Sequence, residues 1–241
     1  MAVDHALAHE LTRGEGILRI YRWRRPTLSF GRNQPAQDLY DPHALESLGA
    51  EVVRRPTGGR EVLHDRELTY AVILPLDTPD RLRGTYRRVN EALVVALRSL
   101  GVATALAPGG DEALRPDAGA CFRAPAPGEI VADGRKLAGS AQRRIGRSLL
   151  QHGSLLMAPS TIDFDALRVR ADADAADGQG VSLAELGLGP LAFDRIAAAI
   201  EAALAGSYGG EWGVGELRPQ ERTVAERLLT QYQSTEWTWR R

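Results

Sequence analysis

An Asp-Gly pair near the middle of the chain places the strongest constraint on the fold. Asp133-Gly134 separates two short strand-like runs, residues 129–132 and residues 135–138. Asp-Gly is a preferred pair for a type I′ turn, because both central residues of that turn need a positive φ. The sequence therefore predicts a tight hairpin, in which two antiparallel strands lie side by side.

Further strands and helices are predicted on both sides of this hairpin. Apolar patterning and stop residues predict strands at residues 18–23, 27–31, 51–54, 68–74 and 148–157, the last one broken at Gly153. Helices are predicted at residues 2–11, 42–48, 85–100, 193–205 and 219–232, and a short one begins at the capping box of Ser182 and Glu185. Because helices precede and follow neighbouring strands, this order predicts an α+β sheet rather than repeated βαβ units.

Length, charge and cysteine content narrow the function classes. The 241 residues can bury a full core as one large domain or two small ones. A net charge of −1 predicts no general affinity for nucleic acid or membranes, and no apolar run reaches the ~18 residues that a membrane span needs. The single cysteine, Cys121, excludes an internal disulfide framework and favours a reducing, cytoplasmic setting.

Arginines occur in three clusters along the chain. If the fold brings these clusters together, they form a basic rim that suits an acidic partner. If it does not, they are unrelated solvated side chains. The clusters are Arg19, Arg22, Arg24 and Arg25, then Arg54, Arg55 and Arg60, then Arg143, Arg144 and Arg147.

Lys136 lies two residues past the predicted turn, so sheet pairing would hold its stem in place. A lysine held in this way can bind a carboxylate or phosphate, polarise a carbonyl, or lower the pKa of a nearby acid. Gly139-Ser140 follows and offers backbone N–H groups with little side-chain cover, which suits an oxyanion. The alternative is an ordinary lysine on the surface of a hairpin.

A second glycine pair, Gly58-Gly59, stands in a loop between charged residues. Paired glycines let the backbone approach a ligand or another strand closely, although a plain turn is the alternative. The spacing of a Walker phosphate loop is absent. His64 and His152 lack nearby ligands at metal spacing, so we expect both to line a pocket and we predict no metal site.

Cys121 lies in a loop rich in proline, glycine and alanine, residues 108–127. A lone cysteine is commonly a small buried apolar residue. A nearby cation, however, lowers the pKa of a thiol from its ordinary value of about 8.5 toward neutrality. If folding places Lys136 beside Cys121, the pair becomes a nucleophile with an activating charge.

Several short motifs occur together and in order along the chain. They are Arg54-Arg55-Pro56-Thr57-Gly58-Gly59-Arg60, His64-Asp65, Leu68-Thr69-Tyr70, Gly134-Arg135-Lys136-Leu137-Ala138-Gly139-Ser140-Ala141-Gln142-Arg143 and Leu150-Gln151-His152-Gly153-Ser154. With residues 1–7, Trp23 and residues 29–34 near the start and residues 232–238 near the end, they resemble the lipoate-protein ligase A and octanoyltransferase family. The resemblance covers almost the whole chain.

The resemblance implies the biotin/lipoyl protein ligase (class II synthetase-like) fold, an α+β fold with a central, mostly antiparallel β-sheet flanked by helices. It implies one catalytic domain over residues 1–241 with no C-terminal accessory domain, and an acyl pocket floored by the Gly58-Gly59 loop. Lys136 would reach the acyl carbonyl or carboxylate there. The substrate-binding residues that we predict on this basis are Arg54, Arg55, Thr57, Gly58, Gly59, His64, Gly139, Ser140, Ala141, Gln142, His152 and Gly153.

Two chemistries occur in that family. Ligases activate free lipoate or octanoate with ATP and pass the acyl-adenylate to a lysine, whereas octanoyltransferases take the acyl group from acyl carrier protein on an enzyme cysteine. Ala120-Cys121-Phe122 lies in the proline-rich loop that precedes Lys136 in the sequence. A cysteine in this loop resembles the acyl-accepting cysteine of the transferase branch. One departure from the family is Glu61, at a position that is usually a small residue, which predicts a changed contact at the pocket edge.

The leading hypothesis is therefore octanoyl transfer without a cofactor, with Cys121 and Lys136 as catalytic residues. The donor would be octanoyl-acyl carrier protein. The acceptor would be a lysine of a lipoyl-domain protein, of the glycine cleavage H protein or 2-oxoacid dehydrogenase E2 type. The alternatives are a ligase that needs ATP and Mg²⁺, and a non-catalytic acyl-binding or partner subunit.

Overall fold

Two β-sheets carry the fold, and the computed structural model describes residues 1–76, 81–109, 122, 125–169, 180–187 and 192–240. The helices are α1 (Ala2–Glu10), α2 (Pro42–Ser47), α3 (Arg81–Ser99), α4 (Phe193–Tyr208), α5 (Pro219–Gln233) and α6 (Thr235–Thr238). The strands are β1 (Ile17–Tyr21), β2 (Thr27–Phe30), β3 (Glu51–Arg54), β4 (Val62–His64), β5 (Glu67–Pro75), β6 (Ala105–Leu106), β7 (Ile130–Ala132), β8 (Arg135–Ile145) and β9 (Ser148–Leu156).

The larger sheet is antiparallel throughout, with the strand order β1-β5-β9-β8-β7-β6. The predicted hairpin is confirmed: Asp133 and Gly134 have φ values of 49° and 72°, and β7 pairs with β8 across them. β8 is far longer than residues 135–138, and it pairs along its length with β9. The central floor of the molecule is therefore formed by β5, β9 and β8.

The predicted break at Gly153 is wrong, because β9 runs through this residue without interruption. Gly153 pairs with Tyr70 on β5, and a Cβ at position 153 would collide with the Tyr70 ring. The glycine makes room for a neighbouring side chain rather than ending the strand.

A smaller sheet has the order β3-β2-β4, in which β2 and β3 are parallel and β2 and β4 are antiparallel. At the end of β2, Gly31 lies against Gly59, and a Cβ at position 31 would collide with the Gly59 carbonyl. This close approach brings the Gly58-Gly59 loop down onto β2. The sheets together are mostly antiparallel, as the resemblance implied.

Helices cover both faces of the larger sheet. On one face, Tyr70, Val72, Leu137 and Leu155 belong to a buried cluster with apolar residues of α3 and α4. On the other face, α1 buries Leu7 and Ala8 against Ala71, Ile73 and Leu150. Alternate strand residues thus enter two separate cores, and burial on both faces fixes the register of the sheet.

The short helix predicted at Ser182 does not form within residues 180–187, of which residues 183–187 form turns. The reciprocal hydrogen bonds of a capping box are present, since the Ser182 amide donates to Glu185 Oε2 (2.9 Å) and the Glu185 amide to Ser182 Oγ (3.4 Å). The amides of Val181 and Leu183, however, donate to the carbonyls of Lys136 and Leu156. These bonds to β8 and β9 hold the segment away from a helical path.

The remaining predicted elements agree with the structure to within a few residues, and β4, β6 and α6 were not predicted. The hydropathy pattern of the described helices contains no stretch that is both long and apolar enough to cross a membrane.

Candidate active site

A cavity of about 750 Å³ lies between the central strands of the larger sheet and the Gly58-Gly59 loop. The register of β8 against β9 pairs Gly139 with Ser154, Ser140 with Gly153 and Ala141 with His152, so the two predicted motifs share one floor. The predicted residues that line the cavity are Arg55, Gly58, Gly59, His64, Lys136, Gly139, Ser140, Ala141, Gln142, His152 and Gly153.

Lys136 is buried in the wall of this cavity, with 2% of its surface exposed, so it is not a surface lysine. Its Nζ lies 2.7 Å from the carboxylate of Glu129, and the ring of Phe122 lies 5.1 Å from the same Nζ. A Cβ at Gly139 would lie 2.7 Å from Lys136 Cε, so only glycine leaves space for the lysine stem. The ammonium is therefore held in one place by its counter-charge and its neighbours.

Cys121 lies outside the described residues, so its distance to Lys136 stays a prediction. Phe122, the residue that follows it in the sequence, is described and lines the cavity.

His152 joins the cavity floor to a buried carboxylate on α1. His152 Nε2 lies 3.2 Å from Asp4 Oδ2, and its Nδ1 lies 3.2 Å from Thr57 Oγ1. Burial lowers the pKa of His152 although Asp4 opposes this, so the ring is neutral at pH 7. Burial alone would raise the pKa of Asp4, but the hydrogen bond from His152 and the charge of Arg19 hold it well below its usual range. A neutral His152 then donates from Nε2 to Asp4 and accepts the Thr57 hydroxyl at Nδ1.

His64 is also held through both ring nitrogens. Its Nε2 lies 2.6 Å from Ser29 Oγ, its Nδ1 contacts the carboxylate of Glu67, and its ring stacks on Trp23 at 4.4 Å. As neither ring nitrogen is spare, His64 serves as a fixed wall of the cavity, in agreement with the pocket-lining role predicted for it.

The hydroxyl of Ser140 lies at the centre of a polar network beneath the cavity. It is 2.5 Å from the Tyr70 hydroxyl and donates to Asn90 Oδ1 (3.1 Å). Asn90 also accepts from Gln151 Nε2 (3.0 Å) and donates to the Gly128 carbonyl (2.8 Å). The network therefore links β5, β8, β9 and α3 to the residue that precedes Glu129.

Two predicted binding residues, Arg54 and Thr57, do not line the cavity. Arg54 is fully buried and donates to the carbonyls of Gly31 (2.6 Å), Gln34 (2.6 Å) and Thr238 (2.9 Å), and burial lowers its pKa to about 10. It ties β3 to the β2 turn and to the C-terminal segment. Thr57 lies behind His152 and positions its ring.

Comparison with known proteins places this chain in a family. The model of the lipoyl protein ligase A/B catalytic domain matches residues 1–201. The octanoyltransferase LipM of Kyrpidia tusciae is 38% identical, over 100% of this chain and 94% of its own length. This chain belongs to the lipoyl protein ligase A/B family.

Other relatives support the same family and fold. The octanoyltransferase LipM of Staphylococcus aureus is 35% identical over 100% of this chain and 94% of its own length. The structure of a bi-partite lipoate protein ligase from Thermoplasma acidophilum superposes with a TM-score of 0.79, at 22% identity, over 99% of this chain and 89% of that one. The last likeness confirms the predicted lipoyl ligase fold.

Three residues that hydrogen-bond to the predicted site residues Lys136, His152 and Ser140 were not predicted as part of the site. Glu129 was assigned only to a strand, Asp4 only to the first helix and to the opening motif of residues 1–7, and Asn90 only to the helix of residues 85–100. The polar Asn90, fully buried beside the apolar Val89 and Leu93, is the one that the helical pattern could have revealed. Asp4 and His152 are 148 residues apart, and no local signal joins them.

Glu61 does not make the predicted contact at the cavity edge. It is buried, and its carboxylate contacts Gln34 Nε2 and Arg168 (2.9 Å). Its neighbours Arg60 and Val62 line the cavity instead. The unusual glutamate at this position is therefore buried behind the residues that line the cavity, and it does not contact the cavity itself.

The three predicted arginine clusters converge only in part. Arg55 and Arg60 line the cavity, but Arg19 pairs with Asp4 and Arg25 lies 3.7 Å from Glu51. Arg22 stacks over the Phe193 ring at 4.1 Å.

In the described part of the chain, no three His, Cys, Asp or Glu side chains come together as metal ligands do.

Proposed function

We propose that this chain is an octanoyltransferase of protein lipoylation. It takes an octanoyl group from octanoyl-acyl carrier protein onto Cys121 and passes it to a lysine of a lipoyl-domain protein. The observation that carries the proposal is a buried lysine, Lys136, in the wall of a cavity that Phe122 also lines. Full-length relatives that are named octanoyltransferases support it.

In the first step the Cys121 thiolate attacks the carbonyl carbon of the carrier thioester. A carbon–sulfur bond to Cys121 forms, the bond to the carrier sulfur breaks, and the carrier leaves as a thiol after it gains a proton. Lys136 favours the thiolate by its charge and donates a hydrogen bond to the acyl oxygen. Because the carboxylate of Glu129 offsets the charge of Lys136, the electrostatic effect of Lys136 is confined to groups in direct contact with it.

In the second step the acceptor lysine attacks the Cys121 thioester as a free amine. The carbon–nitrogen bond of the amide forms and the bond to Cys121 breaks. The nitrogen loses one proton before attack and one on collapse, and one of the two returns to the Cys121 sulfur. The other passes to solvent, so the reaction needs no cofactor.

The backbone of β8 supplies a further hydrogen-bond donor. β7 pairs with β8 only as far as Ala138, so the edge of β8 beyond that point has no strand beside it in the described part of this sheet. Tyr86 Oη donates to the Ser140 carbonyl (3.3 Å) at this edge. In an antiparallel ladder the N–H and C=O of one residue point to the same side, so the Ser140 N–H points there too and is a candidate oxyanion donor.

The acyl chain would bind along the apolar part of the cavity. Each buried methylene contributes about 0.8 kcal/mol, so a chain of six or so buried methylenes would contribute about 5 kcal/mol. That binding would be shared by donor and product, and it therefore favours capture more than it speeds the chemical step.

Intact-protein mass spectrometry tests the proposal. After incubation with octanoyl-acyl carrier protein we expect one octanoyl adduct, which hydroxylamine removes and which Cys121→Ala lacks. In Lys136→Met the adduct should form about 10²–10³-fold more slowly, as on loss of one oxyanion donor elsewhere. A Cys121→Ala protein that modifies a lipoyl domain at the normal rate would overturn the thioester mechanism.

A parallel incubation separates the alternatives. Free octanoate with ATP and Mg²⁺ should give no octanoylated lipoyl domain. Product from this mixture alone would identify a ligase, and tight octanoate binding with no product from either mixture would identify an acyl-binding subunit.

A further inference from the structure

Three arginines from separate elements gather beside the loop of residues 56–59, two of them over the ring of Trp237. Arg32 follows β2, Arg143 belongs to β8 and Arg240 follows α6. The guanidinium carbons of Arg32 and Arg240 lie 5.6 Å and 4.5 Å from the centre of the Trp237 ring. We call these three side chains the arginine patch. Each is partly exposed.

The patch is attached to the loop that closes the cavity. The Arg32 amide donates to the Thr57 carbonyl (2.8 Å), and Arg143 Nη1 donates to the Pro56 carbonyl (3.2 Å). The next residues of this loop, Gly58 and Gly59, line the cavity. The arginine patch and the cavity therefore lie on the two sides of one short loop.

No acidic side chain in the described ranges forms an ion pair with the arginine patch. The charged neighbours are alike in sign: burial and the charge of Arg32 lower the pKa of both Arg143 and Arg240, and Arg240 adds to the effect on Arg143. His5 faces the same group, and burial with the charge of Arg143 lowers its pKa to about 4, so it adds no charge at pH 7. Tyr232, hydrogen-bonded to His5, is held neutral because burial raises its pKa.

Three like charges with no counter-charge among the described residues are unusual on a protein whose net charge is −1. A surface of this kind attracts an oppositely charged partner and raises its rate of association. The acyl donor is a whole protein, which must stay outside the cavity while its thioester enters. A donor protein bound outside the cavity would contact the loop of residues 56–59.

We propose that the arginine patch is the docking surface for an acidic face of the acyl carrier protein. The inference rests on the proposed function, and it adds the place where the donor binds. The charges come from three elements beside one loop, which suits several carboxylates on a protein surface better than one small anion.

The test measures acyl-enzyme formation in single turnovers with two donors. One is octanoyl-acyl carrier protein, and the other is the uncharged octanoyl thioester of N-acetylcysteamine. The variant combines Arg32→Gln, Arg143→Gln and Arg240→Gln. Arg143→Gln alone is a milder form, and Arg227→Gln, on the exposed surface of α5, is the charge-matched control for this single variant. We expect the triple variant to lose at least tenfold in rate with the carrier at low salt and to react normally with the small thioester.

Salt gives a second readout that does not depend on a variant. Between about 0.01 M and 0.1 M salt the screening length falls from about 30 Å to about 10 Å, so the rate with the carrier should fall in the wild type. The triple variant should show a much flatter response, and the small thioester should show none in either protein.

Three results would overturn the docking surface. They are an unchanged rate with the carrier, an equal loss with both donors, and a loss confined to transfer from preformed acyl-enzyme to a lipoyl domain, measured in a separate single-turnover assay, which would assign the patch to the acceptor. A wild type that takes octanoyl from neither donor would instead remove the proposed function.

Discussion

Lys136 and the arginine patch are two ways of placing positive charge beside one cavity. Lys136 is buried with its counter-charge, Glu129, at 2.7 Å, whereas Arg32, Arg143 and Arg240 are partly exposed and repel one another. A charge that is buried and paired keeps its position but projects little field. A charge that is exposed and unpaired projects its field toward solvent, where a partner approaches. The first arrangement suits chemistry and the second suits recognition.

The comparison predicts that Glu129→Gln will have the largest effect on stability. The substitution leaves a buried ammonium without its counter-charge, which should lower the free energy of unfolding by about 3–5 kcal/mol. Urea unfolding measures this loss. Glu91→Gln is the matched control, because Glu91 pairs with Arg87 at the same 2.7 Å on the exposed surface of α3 and should cost about 1 kcal/mol or less.

A double variant sharpens the same point. Lys136→Met added to Glu129→Gln removes the uncompensated charge and should restore much of the lost stability, while octanoyl transfer stays impaired. Equal stability of Glu129→Gln and Glu91→Gln would contradict the view that the Lys136 pair is fixed by burial.

Asp4→Asn should have an intermediate effect that depends on pH. The pKa of Asp4 is lowered in the folded protein, so its carboxylate stabilises the fold at every pH above its ordinary pKa of about 3.9. We expect a loss of about 2 kcal/mol at pH 7, as for a hydrogen bond to a charged group. The difference from wild type should shrink as the pH falls below about 4.

Urea unfolding at a series of pH values checks this prediction. The exposed Asp194→Asn is the control, and it should stay within about 0.5 kcal/mol of wild type. A loss in Asp4→Asn that is the same at pH 7 and pH 3 would mean that the carboxyl shape, not its charge, supports His152.

The smallest effect on stability is expected for Arg143→Gln. The side chain gives up one hydrogen bond to the Pro56 carbonyl and relieves repulsion with Arg32 and Arg240. The free energy of unfolding should therefore change by no more than about 0.5 kcal/mol, in either direction. Thermal or urea unfolding beside the Glu129→Gln protein makes the contrast direct, and a loss of several kcal/mol would show that Arg143 is structural.

Sequence predicted most of the fold where the determinants are local. Asp133-Gly134 specified its turn because the φ values of two adjacent residues decide it. Gly153 was misjudged because its reason is Tyr70, a residue on another strand. The capping box of Ser182 and Glu185 formed its hydrogen bonds, but bonds to Lys136 and Leu156 overruled the helix.

The same division applies to the candidate site. Lys136, Gly139 and Ser140 could be predicted because they share one strand with a known turn. Glu129 could not, since its contact with Lys136 crosses a register shift between Ile130 and Val131. Arg54 and Arg55 are adjacent in the same motif, so the sequence does not distinguish them. The side chain of Arg54 faces away from the cavity because it hydrogen-bonds to the C-terminal segment.

The missing side chain at Gly153 lets β5 contact β8, a strand with which it does not pair. The Tyr70 ring of β5 lies across β9 at Gly153 and reaches Ser140 on β8, so three strands meet in one row. A shift of β9 by one residue relative to β5 would place His152 or Ser154 opposite Tyr70, where its side chain would collide with the ring. The row therefore fixes the alignment of the three strands that form the floor of the cavity.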